Sequence, residues 1–170
     1  GIESRFDEFV HAESLDTGKP IHQARSLDIP RAISNLRFFA ALIQSETMDS
    51  FVTTTNDAPR ALNYTVRKPH GVVGVICPWN LPLLLLTWKI APALATGNTV
   101  IIKPSEHTPL SALRIAELAG NLFPPGIFNI VNGGRETGSA LSQHPKVRNI
   151  SLVGSAPTGK AILADRSEEH

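Results

Sequence analysis

The chain has 170 residues, of which 42% are hydrophobic and 18% charged, which fits one soluble globular domain with a core of its own. A net charge of +1 gives no electrostatic reason to expect binding to nucleic acid or to an anionic membrane. One cysteine excludes a disulfide framework and a cysteine-rich zinc site, and the scattered histidines offer no metal site. The start of the chain has no signal-peptide pattern, and residues 83–86 are too short an apolar run to span a bilayer, so we expect a cytoplasmic protein.

The first part of the chain predicts two helices. Apolar residues at helical spacing indicate a helix over residues 2–15, which Gly18 would end. Ser26 or Asp28 is placed to cap a second helix, with Pro30 in its first turn. The apolar stripe of this second helix comprises Ile29, Ile33, Leu36, Ala40 and Ile43.

The next segment predicts a loop and then a strand. Residues 45–58 are polar, rich in threonine and without a period, which is typical of a loop. Leu62, Tyr64 and Val66 alternate with polar residues, which predicts a half-exposed strand that ends at Pro69 and forms one arm of a hairpin.

From Gly71 onward, strand-like and helix-like segments alternate. The β-branched runs cover residues 72–76, 99–102, 127–131 and 149–153, and the helical segments cover residues 81–96, 109–122, 135–144 and 157–168. Successive strand–helix units predict an α/β fold, in which a parallel sheet carries helices on both faces. Ligands of such a sheet bind outside the carboxyl ends of its strands, where polar residues are concentrated in this chain.

Asn80 and Cys77 follow the first of these strands. The Asn80 amide can donate a hydrogen bond to a developing oxyanion, or alternatively cap the helix that starts near Leu83. Cys77 is the only thiol of the chain, but no histidine lies near it in the sequence. We therefore interpret it as a small buried residue and not as a nucleophile.

Lys103 and Glu106 follow the second strand. A lysine and a carboxylate in such a position can hold the two hydroxyls of a ribose. The carboxylate would favour NAD over NADP, because it disfavours a 2′-phosphate. The alternative is a local ion pair within a loop.

A glycine-rich turn follows the last strand. Residues 154–161, GSAPTGKA, match the phosphate-loop pattern at all but the last position, where Ala161 replaces the hydroxyl residue that binds magnesium. The free amides of such a turn predict a diphosphate near Ser155. Magnesium-dependent nucleotide hydrolysis is the less favoured alternative, because the magnesium ligand is missing.

Several short motifs occur together along the chain. They are Pro78-Trp79-Asn80, WKIAPAL over residues 88–94, GNTV over 97–100, KPSE over 103–106, PGIFNIV over 125–131, His144-Pro145 and Gly154-Ser155. In this order they resemble the aldehyde dehydrogenase superfamily over essentially the whole chain. Residues 28–31 and 62–64, together with Cys77, are most similar to its branch that acts on 2-hydroxymuconate and 2-aminomuconate semialdehydes.

The resemblance implies a division of the chain and roles for its residues. It implies N-terminal helices over residues 1–55, an oligomerisation hairpin strand and linker over 56–70, and a truncated Rossmann-like NAD-binding domain over 71–170. Asn80 is the implied catalytic residue, which stabilises an oxyanion. Arg31 is our candidate for pairing with a substrate carboxylate, and the alternative is an arginine on a helix surface. The candidate cofactor-binding residues are Ile76, Cys77, Pro78, Trp79, Lys103, Ser105, Glu106, Gly138, Gly154 and Ser155.

The resemblance also implies what the parent protein would do and what this chain lacks. The parent would be an NAD-dependent enzyme that oxidises an aldehyde to its acid as a homo-oligomer, a dimer or tetramer. The nucleophilic cysteine and catalytic glutamate of the family lie beyond His170, so we expect an internal fragment that is inactive alone. The partner strand of the hairpin is also expected outside the chain, which would leave an exposed apolar edge. A non-catalytic NAD-binding or interaction module is the remaining alternative.

Overall fold

The structure is a computed structural model that describes residues 1–55 and 58–167. It opens with a 3-10 turn over Glu3–Arg5 and helix α1 over Phe6–Thr17. Gly18 ends α1 with a left-handed φ of 71°, and its N–H donates a hydrogen bond to the Ser14 carbonyl. The predicted first helix and its glycine stop are therefore confirmed, because glycine adopts this backbone conformation without a steric cost.

The second helical segment begins earlier than predicted. Helix α2 (Ile21–Gln23) continues through a π-helical turn over Ala24–Asp28 into helix α3 (Ile29–Ser45). The prediction that Ser26 or Asp28 caps a helix is wrong, because the backbone is already helical there. The apolar stripe contributes to the core only in its first half: Ile29 is buried, Ile33 and Leu36 are half-buried, and Ala40 and Ile43 are exposed.

A hairpin follows, and it corrects two predictions. Strand β1 (Ser50–Thr55) pairs antiparallel with strand β2 (Ala58–Tyr64), so the loop predicted over residues 45–58 is wrong for Ser50–Thr55 and for Ala58, while residues 56 and 57 lie outside the described residues. Strand β2 thus has a partner within the chain, strand β1, where we expected the partner strand of the hairpin outside it. We predicted a loop because threonine is polar, but threonine is also β-branched, so a threonine-rich run favours a strand.

The central sheet has the predicted strands, all parallel, in the order β5-β4-β3-β6. Its strands are β3 (Val72–Ile76), β4 (Thr99–Lys103), β5 (Phe128–Ile130) and β6 (Val147–Leu152). They alternate with helices α4 (Pro82–Ala95), α5 (Leu110–Ala119), α6 (Arg135–Gln143) and α7 (Ala156–Ser167). The predicted α/β fold with a parallel sheet and flanking helices is confirmed.

Helices cover both faces of this sheet. Val73 and Val75 belong to the core cluster that also contains Leu83 and Leu86 of α4, whereas a Cβ at Gly74 would contact Leu141 of α6. Because successive side chains of a strand point to opposite faces, α4 and α6 lie on opposite sides of the sheet. Among the described residues, no helix is both long and apolar enough to cross a membrane.

The strand order determines where a ligand can bind. The chain moves from β3 outward to β4 and β5, and then crosses back to place β6 on the other side of β3. The connections therefore diverge at the carboxyl ends of β3 and β6, which makes that edge the topological switch point of the sheet. The residues that follow β3, β4 and β6 meet there.

Candidate functional site

Backbone hydrogen bonds tie the exits of three strands together. The Cys77 N–H after β3 donates to the Lys103 carbonyl at 3.1 Å, and the Val153 N–H after β6 donates to the Ile76 carbonyl at 3.4 Å. The segments that carry Asn80, Glu106 and Ser155 therefore start from one edge of the sheet. This is the edge at which the sequence predicted the site.

The Asn80 side chain is exposed and free to act on a ligand. Helix α4 has Leu81 at its N-cap position and no side-chain cap, so the alternative role of Asn80 as a helix cap is not observed. In residues 1–55 and 58–167, no hydrogen bond holds the Asn80 amide, while its backbone carbonyl accepts one from Lys19 Nζ at 3.2 Å. A fixed backbone with an unoccupied amide is the arrangement that an oxyanion donor needs.

The rest of the β3 exit presents one aromatic ring and a buried thiol. Trp79 is 62% exposed, Pro78 and Ile76 are half-buried, and Cys77 is buried as predicted. Burial raises the pKa of the Cys77 thiol to about 11, so it stays protonated at neutral pH. A protonated buried thiol does not act as a nucleophile.

Lys103 and Glu106 form a pair with one buried and one exposed partner. Lys103 is buried, and its Nζ donates to the Pro104 carbonyl at 2.8 Å and lies 3.5 Å from Glu106 Oε2. The Glu106 side chain is 51% exposed. Its own backbone N–H, helped by the Lys103 ammonium, lowers the pKa of Glu106, so its carboxylate remains ionised and faces solvent.

Glycines at the start of α6 keep the space beside this pair open. A Cβ at Gly138 would lie 3.6 Å from Lys103 Cδ, and one at Gly134 would lie 3.9 Å from Glu106 Oε1. The structure thus brings the predicted Gly138 to the pair and adds Gly134, which was not among the predicted site residues. The glycine-rich run before α6 was its only signal in the sequence. Ser105, between the two charged residues, is buried, and its Oγ accepts the His107 N–H at 3.3 Å.

The turn after β6 is shorter than a phosphate loop. Helix α7 begins at Ala156, and Ser155 Oγ accepts the Thr158 N–H at 3.4 Å in the manner of a helix cap. Residues 156–161 are helical, so most amides that a phosphate loop would leave free are used within α7. This counts against the nucleotide-hydrolysis alternative. Gly154 and Ser155 themselves are exposed.

Arg31 stands apart from these contacts. It is exposed at the start of α3, and within the described part of the chain it makes no ion pair. Its pairing with a substrate carboxylate stays a prediction.

Sequence reasoning missed a buried charge cluster beneath Asn80. Lys19 Nζ lies 2.5 Å from Asp28 Oδ2 and 3.6 Å from Glu13 Oε1, and the same ammonium holds the Asn80 carbonyl. Glu13 Oε2 accepts Ser111 Oγ at 2.5 Å and the Leu83 N–H at 3.4 Å. Both carboxylates are fully buried. No local pattern marks this cluster, because its members are far apart in the chain.

The buried Glu13 makes stability depend on pH. Burial raises the pKa of Glu13 above its ordinary value of 4.5, and the Ser111 hydroxyl and Lys19 ammonium only partly oppose this. The folded chain therefore holds this proton more tightly than the unfolded chain. The stability from Glu13 is complete below pH 4.5 and is lost as pH rises through the folded pKa.

The Glu13→Gln variant tests the direction in which stability changes with pH, because glutamine keeps an acceptor for Ser111 but does not titrate. We expect the unfolding free energy of the wild-type chain, relative to the variant, to fall as pH rises above 4.5. The slope should not exceed about 1.4 kcal/mol per pH unit. Urea unfolding of both chains between about pH 4 and 8 measures it, and a difference that is flat or rises with pH would contradict the expectation.

This chain is similar to known proteins along its whole length. The model of the aldehyde dehydrogenase family matches residues 1–170. A 2-hydroxymuconic semialdehyde dehydrogenase from Pseudomonas sp. (strain CF600) is 50% identical over 96% of this chain and 34% of its own length. A 2-aminomuconic semialdehyde dehydrogenase from Danio rerio is 52% identical over 99% of this chain and 34% of its own length. The chain thus spans about a third of the length of these curated relatives.

The fold is also similar to that of a solved aldehyde dehydrogenase structure. The NAD⁺ complex of an aldehyde dehydrogenase from Bacillus cereus superposes with a TM-score of 0.91 at 38% identity, over 98% of this chain and 34% of that one. Because the family model covers all 170 residues, the chain belongs to the aldehyde dehydrogenase family.

Proposed function

We propose that the protein containing this chain is an NAD-dependent aldehyde dehydrogenase, and that this chain supplies its oxyanion donor and much of its cofactor site. One observation carries the proposal: the free Asn80 amide and the Lys103–Glu106 pair leave the same edge of the sheet, at its switch point, in a chain of this family. Ligands of open α/β sheets bind at such edges.

The residues at the β4 exit fit the adenosine ribose of NAD. Lys103 offers an ammonium donor and Glu106 a carboxylate acceptor 3.5 Å apart, which matches a pair of neighbouring hydroxyls. Gly134 and Gly138 leave room beside them, since neither carries a side chain. The ionised Glu106 would repel a 2′-phosphate, so we propose NAD and not NADP as the cofactor.

The remaining candidate residues would contact the rest of the cofactor. Gly154 and Ser155, exposed at the start of α7, would receive the pyrophosphate, which a helix N-terminus favours. The exposed Trp79 ring would lie beside the cofactor, with the backbone of Ile76, Cys77 and Pro78 beneath it. Ser105 and Gly138 would support the ribose pair. Bound NAD would accept the hydride that leaves the aldehyde carbon.

Asn80 acts on the aldehyde in this proposal. Its amide N–H would donate a hydrogen bond to the aldehyde oxygen as negative charge develops there, and Lys19 would keep its backbone in place. The only thiol of this chain is buried and protonated, so the nucleophile would come from the rest of the protein. The 170-residue chain alone is therefore expected to bind NAD without oxidising aldehydes.

The substrate and assembly are proposed from the relatives and the surface. Relatives named as muconic semialdehyde dehydrogenases support a carboxylated semialdehyde, whose carboxylate the exposed Arg31 would pair with. The β1–β2 hairpin leaves Phe51, Val52 and Leu62 more than half exposed, which supports its use in contacts of a homo-oligomer.

NAD binding by the chain tests the cofactor site. We expect NAD to bind more tightly than NADP in calorimetric titrations, and Glu106→Ala to weaken NAD binding by about 1.5–3 kcal/mol, roughly 10- to 100-fold, through the lost charged hydrogen bonds. The same change should narrow the preference for NAD over NADP. Glu3→Ala, which removes an exposed carboxylate that pairs with Arg37, is the control and should leave NAD affinity unchanged. Equal affinities for NAD and NADP, or no effect of Glu106→Ala, would contradict the assignment.

A further inference from the structure

The proposed oxyanion donor lies on a short segment without regular secondary structure. Residues 77–81 connect the end of β3 to the start of α4, and no side chain caps α4 at Leu81. The Asn80 side chain is exposed and makes no hydrogen bond within the described residues. The direction of its amide therefore depends on what holds the backbone of this segment. An oxyanion donor is effective when it is fixed in place before the charge develops.

Two buried polar groups hold this segment, one on each side of Leu81. Lys19 Nζ donates to the Asn80 carbonyl at 3.2 Å, and Glu13 Oε2 accepts the Leu83 N–H at 3.4 Å. A rotation of the Asn80 peptide would break the first contact, and a shift of the start of α4 would break the second. Together they fix the backbone where the chain turns into the helix.

Lys19 and Glu13 are themselves held from several directions. The Lys19 ammonium lies 2.5 Å from Asp28 Oδ2 and 3.6 Å from Glu13 Oε1. Glu13 Oε2 also accepts the Ser111 hydroxyl of α5 at 2.5 Å. Glu13 is fully buried and the Lys19 side chain is 10% exposed, so both act from beneath the site. The groups that hold the Asn80 segment are thus anchored to α1, to α5 and to the π-helical turn before α3.

Stability alone does not account for this charged cluster. Among the described residues, the buried Asp28 Oδ1 has no hydrogen-bond donor, and Glu13 Oε1 has only its ion pair with Lys19. Apolar side chains of similar volume often stabilise a fold as well as such a cluster does, although removing one charged partner alone is costly. Charged hydrogen bonds add geometric specificity instead. Two of the bonds in this cluster are directed at the Asn80 segment.

We infer that Lys19 and Glu13 are positioning residues for aldehyde oxidation, which aim the Asn80 amide at the aldehyde oxygen without touching substrate or cofactor. Lys19 acts through the Asn80 carbonyl, and Glu13 acts through the Leu83 N–H in the first turn of α4. Asp28 holds the Lys19 ammonium in place. The inference rests on the proposed oxyanion role of Asn80 and adds the residues on which that role depends.

A double-mutant cycle in the aldehyde dehydrogenase that we propose contains this chain tests the inference. Lys19→Met should lower kcat by roughly 10- to 100-fold and change KM much less, because a misplaced donor stabilises the transition state poorly. In the Asn80→Ala background, the same change should lower kcat by less than about twofold, since the amide that Lys19 positions is gone. Lys146→Met, at an exposed lysine, is the matched control and should leave kcat unchanged in both backgrounds.

Two further variants keep the test decisive if Lys19→Met does not fold. Lys19→Met combined with Asp28→Asn removes the cation together with the carboxylate that it neutralises. It should show the same loss of kcat and the same dependence on Asn80. Glu13→Met removes the acceptor of the Leu83 N–H. It should lower kcat less than the Lys19 change does, because Lys19 still holds the Asn80 carbonyl.

Hydrogen exchange gives a readout that does not depend on activity. In the folded Lys19 variant, a peptide covering residues 77–86 should exchange its amides several-fold faster than in the wild-type enzyme. A peptide covering strand β4 should keep its wild-type rate, because the cluster makes no contact that holds β4. An equal rise in both peptides would show a general loss of stability and overturn the inference.

The kinetic outcomes distinguish this inference from the proposed function. If Asn80→Ala lowers kcat but the Lys19 change costs the same factor with and without Asn80, then Lys19 acts elsewhere and the positioning role is overturned. A Lys19 effect on kcat below about twofold in the folded variants would overturn it as well. If Asn80→Ala itself leaves kcat unchanged, the oxyanion role fails, and the positioning role fails with it.

Discussion

In the aldehyde dehydrogenase that we propose contains this chain, replacing Asn80 with alanine is expected to lower kcat for aldehyde oxidation by about 100- to 1,000-fold, or about 2.7–4 kcal/mol. The Asn80 amide is exposed, caps no helix and makes no hydrogen bond within the described residues, so its donor is available to a developing oxyanion. Removing it should act on the transition state more than on substrate binding. KM should therefore change much less than kcat.

Steady-state kinetics of the Asn80→Ala variant measure the effect, and its unfolding free energy shows whether the change also affects the fold. Because Asn80 is an exposed residue without side-chain partners in the described chain, its unfolding free energy should stay within about 0.5 kcal/mol of the wild-type value. Asn121→Ala, an exposed asparagine near the end of α5, should leave both kcat and KM unchanged. A loss of kcat below about tenfold, or a rise in KM alone, would remove Asn80 from the oxyanion role.

The second large effect is expected for Lys19, on stability. Replacing Lys19 with methionine should lower the unfolding free energy by about 3–5 kcal/mol at neutral pH, because it leaves the buried Asp28 carboxylate, with Glu13 beside it, without its cation. The Lys19 side chain is 10% exposed and Asp28 and Glu13 are fully buried, so water cannot replace the ammonium well. Urea unfolding at neutral pH measures the loss.

Two further variants test whether the loss of stability comes from the buried ion pair: a lysine replacement at the surface and a double replacement within the pair. Lys146→Met, at an exposed lysine between α6 and β6, should change stability by less than about 0.5 kcal/mol. Adding Asp28→Asn to Lys19→Met should recover part of the loss, since one unpaired charge is then removed. If Lys19→Met costs less than about 1 kcal/mol, the cluster is hydrated and does not hold the Asn80 segment as described.

The sheet could be predicted from the sequence because its strands are buried on both faces. Val72–Ile76 and Thr99–Lys103 are nearly continuous β-branched runs, and each is followed by a segment of helical length, so their type and order are local properties. The hairpin could not be predicted in the same way. Its first strand, Ser50–Thr55, is rich in threonine, and residues 50–54 are exposed, so no buried face produces a periodic pattern there.

The start of the second helical segment could not be predicted from local sequence either. Asp28 has the side chain of a helix cap and is followed by Pro30, yet the backbone is helical there and the carboxylate is buried in an ion pair with Lys19. A cap residue and a buried ion-pair partner have the same local sequence. Packing decides between them, which is why the boundary was predicted several residues too late.

By itself, the sequence determined the alternation of strands and helices, the carboxyl-end position of Asn80, Lys103 and Glu106, and the family. The alternation and the positions of these residues follow from periodicity and spacing within a few residues, which short-range backbone preferences impose, whereas the family follows from the resemblance of the ordered motifs. Only the tertiary structure decided that Lys19 supports the Asn80 backbone from 61 residues away, and that the same ammonium lies beside the buried Glu13 and Asp28. Such contacts depend on how helices pack across the sheet, so burial and charge pairing, and not local pattern, select them.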